Sequence, residues 1–141
     1  MYDEILFPID GSASLDAVYP HAADAAARHG ATVHVLYVVD DRAFLTLADE
    51  MQDDVIGEFR AEGEAALDWA QRRFADDGVD VVTELRRGSP AEEILTYAEA
   101  AGVDLVTMGT HGPDSQETVV GSVSETVVKS SPVPVLTVRL P

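Results

Sequence analysis

The segment GTHGPDSQETVVGS, residues 109–122, has small residues where a phosphate cradle would need them. Gly109 and Gly112 permit positive φ and close backbone approach. Gly121 and Ser122 open an amphipathic stretch, and the first amides of such a helix lack intrahelical partners and favour an anion. The spacing is neither the Walker pattern, which needs a Gly-Lys-Ser/Thr end, nor GxGxxG. The segment has no Lys or Arg, and its charged residues are Asp114 and Glu117. Its residues leave two readings open: a phosphate-binding loop, or a turn before a helix with Ser122 as N-cap. A second turn, Asp10-Gly11-Ser12, ends the first apolar run, and Asp10 there is either a ligand-facing acid or a turn former. His111 reads as a loop side chain rather than an acid/base group. Arg86 and Arg87 are expected to pair with nearby acids rather than with a phosphate.

Those two loops must be held by something, and 141 residues suffice for one domain with a sizeable core. The apolar pattern alternates between short runs and helical periodicities. ILFPI (5–9), VHVLYVV (33–39), VDVVTELRR (79–87), VDLVTM (103–108) and VPVLTVRL (133–140) read as strands. Between them lie four helical stretches. The first, 14–29, turns Leu15, Val18, Ala22 and Ala25 or Ala26 inward, with Pro20 expected to kink it or delay its start. The second carries Val55, Ile56, Phe59, Ala66, Leu67, Ala70 and Phe74 at helical spacing, after a polar stretch from Asp40 to about Asp54. A capping box, Ser89-Pro90-Ala91-Glu92, opens the third, which buries Ile94, Leu95 and Ala98. Ser122-Val123-Ser124-Glu125 is a second possible capping box, with Val123 and Val127 inward. The acidic stretch Asp49 to Glu64 reads as a solvated helix face.

Strands separated by helices imply parallel pairing with right-handed crossovers and both sheet faces covered. The expected fold is α/β: an open, doubly wound five-stranded sheet with helices on both faces. Ligands of such sheets bind beyond the strand carboxyl ends where the order reverses. An order 3-2-1-4-5 brings the Asp10 turn and the glycine segment together, although periodicity alone leaves other orders open.

Composition removes several function classes. Without cysteine there is no disulfide, thiolate metal site or Cys nucleophile. The histidines, at 21, 29, 34 and 111, never pair at i, i+3 or i+4, so no metal site is expected. Twenty-six acids against nine bases give a formal net charge of −17, and Lys129 is the sole lysine. No basic stripe is available for a nucleic acid or an anionic membrane. The charge is read as adaptation to a salt-rich cytoplasm, as in extreme halophiles, where salt screens self-repulsion. MYDEILFPID has neither a basic n-region nor an apolar h-region, so no signal peptide and a cytoplasmic location are expected.

ILFPIDGS, the Val38-Val39-Asp40 strand end, MGTHG at 108–112, GSVSE at 121–125 and the terminal PVPVLTV occur in the order of a known family. Through them the chain resembles, end to end, the single-domain universal stress proteins (UspA-like). The resemblance implies one Rossmann-like, adenine nucleotide alpha hydrolase-like domain over 1–141. It also implies ATP, or ADP or AMP, bound between strands one and four, with Mg²⁺ carried by the nucleotide. Pro8 and Asp10 would lie at the adenosine end and Val38 against the adenine. Met108 and Gly109 would border the nucleotide, with Gly112, Gly121, Ser122 and Val123 around the phosphates. The family pattern G-x2-G-x9-G-(S/T) is matched with eight residues, PDSQETVV, where nine are usual. Pro113 stands where many relatives have a basic residue. The expected function is an ATP-binding stress-response module, not an enzyme, although slow hydrolysis is compatible with it. The alternative is a nucleotide-free interaction module of the same family. The resemblance further implies a homodimer through the C-terminal strand, whose apolar edge would invite pairing.

Overall fold

The computed structural model describes residues 1–10, 14–43, 47–110 and 119–140. Five parallel strands, β1 (Glu4–Ile9), β2 (Thr32–Asp40), β3 (Val81–Gly88), β4 (Leu105–Thr110) and β5 (Val135–Arg139), form one sheet in the order β3-β2-β1-β4-β5. Helices α1 (Ser14–His29), α2 (Asp49–Asp76), α3 (Pro90–Ala100) and α4 (Val119–Ser130) make the crossovers. The expected α/β architecture and strand order are both present.

Period-two alternation in the strands divides the core between the two faces. Ile5, Phe7, Val33, Val35, Tyr37 and Leu105 pack on one side with Val18, Ala22, Leu67, Ala70 and Phe74 of α1 and α2. Leu6, Leu36, Val106 and Met108 pack on the other with Ile94, Tyr97, Ala98 and Val127 of α3 and α4. The central strand β1 is buried on both faces, which is why ILFPI is a continuous apolar run. At its base, the Asp104 carboxylate accepts the Asp3 and Glu4 backbone N–H groups at 2.8 and 3.0 Å. Those two bonds hold the Asp104 carboxyl below the usual carboxylate range. Among the described residues, no helix is long and apolar enough to cross a membrane.

Several local expectations are corrected. α2 begins at Asp49, six residues before Val55, and Asp41–Ala43 forms a 3-10 turn, so helical structure occurs at both ends of the polar stretch. Asp49 and Glu50 occupy the first turn of α2, where carboxylates complement the helix dipole. Pro20 sits inside α1 on an exposed position without delaying its start. Ser89 is the N-cap of α3 with Pro90 at N1, but its side chain makes no capping bond. α4 starts at Val119, so Ser122 is inside the helix rather than at its cap.

Two glycines of α2 have opposite reasons for being there. A Cβ on Gly57 would meet nothing within 4 Å. A Cβ on Gly63 would lie 2.6 Å from Tyr37 Cδ1 and 2.9 Å from Leu85 Cδ1. Gly57→Ala should therefore stabilise the protein by about 0.5–1 kcal/mol through helix propensity alone. Gly63→Ala gains the same propensity but must displace a ring in the core, and a net loss on the order of 1 kcal/mol is expected. Urea unfolding of the two variants checks the opposite signs.

Candidate functional site

The sheet opens at its crest because β1 and β4 part. Among the described residues they pair only at Ile5↔Leu105 and Leu6↔Val106, whereas β1 follows β2 as far as Ile9↔Tyr37. Two residues beyond Leu6 stands Pro8, which has no N–H to give to a ladder. Between the parted strand ends lies a pocket of about 280 Å³. β1 contributes Pro8, Ile9 and the following Asp10; β2 contributes Leu36 through Asp40; β4 contributes Met108. Phe59 of α2, Pro90 and Ile94 of α3 and Val123 of α4 complete the wall.

The chemistry of the wall is that of a slot for a flat, weakly polar group with polar functions at one end. Leu36, Val38, Ile94, Met108 and Val123 are apolar, and the acids Asp10 and Asp40 stand at the strand ends. The volume is near the lower bound, roughly 300 Å³, of small-molecule pockets. That suits a nucleoside-sized moiety, with any further groups extending outside. Burial raises the Tyr37 phenol, with Glu62 and Asp10 adding to the effect, so Tyr37 stays a neutral donor in the wall. The Arg42 guanidinium holds the Asp40 carboxyl below the usual carboxylate range, against the opposing effect of partial burial.

Of the residues expected at the site, Pro8, Asp10, Val38, Met108 and Val123 are brought together in this wall. Gly109 is not part of it. A Cβ there would point to the other face, 3.1 Å from Leu140 Cδ2 and 3.2 Å from Val18 Cγ2, so Gly109 serves the packing of α1 and the C-terminal segment on β4. Gly121 lies within α4, and Ser122, exposed on the same helix, accepts a bond from Thr126 Oγ1 at its carbonyl. Gly112 lies outside the described residues, as do Gly11, Ser12, His111, Pro113, Asp114 and Glu117. Arg86 and Arg87 pair with acids, Arg86 Nε with Glu84 at 2.5 Å and Arg87 Nε with Asp41 at 2.7 Å.

Sequence reasoning missed Phe59, Pro90 and Ile94. The signal for Pro90 was available: a proline opening a helix directly after a strand end puts that helix's first turn at the sheet crest. Phe59 carried no signal beyond its place on the inner stripe of α2.

Comparison with known proteins gives a consistent picture. The model of the universal stress protein family matches residues 1–139. Universal stress protein MJ0531 of Methanocaldococcus jannaschii is 39% identical over 144 residues, covering 100% of this chain and 84% of that protein. The solved structure of MJ0577 superposes with a TM-score of 0.90 at 31% identity, covering 100% of this chain and 98% of that one. Two more distant structures share the fold. One is a universal stress protein in complex with cAMP, with a TM-score of 0.73, 23% identity and coverage of 99% and 98%. The other is the Archaeoglobus fulgidus universal stress protein in complex with dAMP, with a TM-score of 0.70, 21% identity and coverage of 97% and 98%.

Proposed function

The chain belongs to the universal stress protein family, and on that premise we propose that its crest pocket binds an adenine nucleotide, ATP or a shorter relative, as the ligand of a cytoplasmic stress-response module. The observation that carries the reading is the apolar slot at the switch point between β1 and β4, with Pro8, Asp10, Val38, Met108 and Val123 in one wall. Its size suits the adenosine part, with Val38 and Met108 against the base and Asp10 near the ribose. The phosphates would then extend towards the N-terminal turn of α4. Among the described residues no group of three or more His, Asp or Glu is disposed to hold a metal. Mg²⁺, where needed, would travel with the phosphates. Two more distant proteins of this fold hold adenine mononucleotides, which supports the base assignment by analogy of fold alone.

The reading does not extend to catalysis. His34, near the N-terminal end of β2, is engaged by Glu4 at 2.5 Å and by the Tyr97 hydroxyl at 2.7 Å, away from the crest. Lys129, at the far end of α4, pairs with Glu125 at 3.2 Å. The test is calorimetric titration with Mg-ATP, ADP and AMP in molar KCl, with a check for co-purified nucleotide. Saturable binding at micromolar concentrations supports the reading. A folded protein that binds none of them overturns it in favour of a nucleotide-free interaction module.

A second copy of the chain is the proposed partner. β5 forms one edge of the sheet, and its Leu136 is 40% exposed, while Val128 of the adjoining α4 is 53% exposed. Pairing of two β5 edges would cover both. Leu136→Lys is then expected to shift the light-scattering mass towards the monomer. A mass that stays put argues against this edge.

A further inference from the structure

α2 is built in two unlike halves. Its buried residues, Gly63, Leu67, Ala70 and Phe74, all belong to the second. Gly63 seats that half on the sheet, where a Cβ would lie 2.6 Å from Tyr37 Cδ1 and 2.9 Å from Leu85 Cδ1. An opposite-charge pair one turn apart, Asp68 with Arg72 at 2.7 Å, supports it from outside. The first half, residues 49–62, turns only Gln52, Val55, Ile56 and Phe59 partly inward. Its local chemistry works against it. The N-cap is Ala48, which makes no side-chain capping bond. Gly57 sits in its middle although a Cβ there would meet nothing within 4 Å, so backbone entropy is lost with no gain in packing. Glu50, Asp54, Glu58 and Glu62 stand four apart along one exposed stripe, and like charges at that spacing weaken a helix. A segment with few buried contacts opens locally at less cost than the core does. Yet this half carries Phe59, the contribution of α2 to the pocket wall among the described residues.

Resting on the adenine-nucleotide reading above, we propose that residues 49–62 are the ligand-responsive element of this protein, held closed at the crest when the bound nucleoside packs on Phe59. A ligand shifts an equilibrium only by what it gains in one state over the other. Here the gain is the contact with Phe59, which the closed half-helix makes and an open one loses. The other wall residues stand on the strands, on α3 and α4, or follow β1 as Asp10 does, and serve both arrangements. The stripe of Glu50, Asp54, Glu58 and Glu62 lies on the outside of this element. Occupancy of the pocket thereby becomes order of an acidic surface.

The test follows hydrogen–deuterium exchange in about 2 M KCl, with AMP affinity measured by calorimetry on the same samples. In the unaltered protein the amides of 53–62 should exchange at least about tenfold faster than those of 67–76. Saturating AMP should slow 53–62 about tenfold, of the order of one base–aromatic contact. In Phe59→Ala, AMP should bind about tenfold more weakly, because the coupling is reciprocal. At saturation it should still slow 67–76, which exchange by global unfolding, but no longer 53–62. Phe59→Leu carries the same comparison at smaller amplitude should Phe59→Ala not fold. The proposal falls if 53–62 exchange as slowly as 67–76, or if bound AMP leaves 53–62 unmoved. It falls also if Phe59→Ala keeps the full slowing, since Phe59 would then be a wall residue and nothing more. If calorimetry shows no AMP, ADP or ATP bound to the unaltered protein, the nucleotide reading has failed and the proposal falls with it.

Discussion

The Val38→Trp substitution is expected to weaken binding of adenosine, AMP and ATP alike, by at least about a hundredfold, or about 3 kcal/mol. Val38 is half-buried, lies on the α3 side of the sheet and forms part of the pocket wall. An indole there takes the space between Leu36, Ile94 and Met108 that the base would enter. The protein should stay folded, because the larger ring grows into an open slot rather than into a closed core, where overpacking typically costs about 1–3 kcal/mol. Because the base slot is common to all three ligands, the loss should be similar whether or not the ligand carries phosphates. Calorimetry gives the affinities and circular dichroism the fold. Unaltered ATP affinity in Val38→Trp would move the base to another place on the molecule.

The largest effect on stability is expected from Phe74→Ala. Phe74 is fully buried where the last turns of α2 meet the sheet and α1. Its ring lies edge-on to Phe7 at 6.0 Å between centroids and tilted against Tyr19 at 4.7 Å. Its carbonyl accepts the Val79 N–H at 2.9 Å as the chain turns towards β3. The neighbours are pinned from outside and cannot easily collapse into a void. Tyr19 donates to the Arg73 carbonyl at 3.1 Å and to the Asp77 carboxylate, and the Arg73 guanidinium covers the Tyr19 ring at 4.5 Å. Burial, reinforced by Asp77, raises the Tyr19 phenol and keeps it a donor. A large aromatic-to-alanine change at such a site costs about 3–5 kcal/mol, against a total of about 5–15 for a domain. The thermal midpoint should fall on the order of 10 °C. A loss below about 1 kcal/mol would mean that α1 and α2 do not form a single rigid face with the sheet.

Much of the fold was legible because each of its elements satisfies its own local requirement. ILFPI and VHVLYVV are too apolar and β-branched to be anything but buried strands, and the Ala-rich 14–29 stretch places Val18, Ala22 and Ala26 on one helical face. Alternation of the two periodicities limits the sheet to parallel pairing and leaves few topologies to choose from. Polar local chemistry was less legible. The apolar helical spacing begins only at Val55, after a polar stretch, yet acids at a helix N-terminus favour the helix that is present from Asp49. Ser122 has the residue type of an N-cap but lies three residues inside α4, which starts at Val119.

The candidate site divides in the same way. By itself the sequence determined the strands, their alternation with helices, the family and hence Pro8, Asp10, Val38, Met108 and Val123 as residues of one place. These are properties of neighbours along the chain or of motifs that keep their spacing. Only the tertiary structure decided that Phe59, Pro90 and Ile94 close the pocket, that Gly109 faces Val18 and Leu140 rather than the slot, and that Arg42 and Arg87 pair with the carboxylates of Asp40 and Asp41 where β2 ends. Each of those depends on the angle at which a crossover helix settles on the sheet or on which of many acids an arginine finds. Packing of residues far apart in the chain sets both, and a periodicity of two or 3.6 carries no record of it.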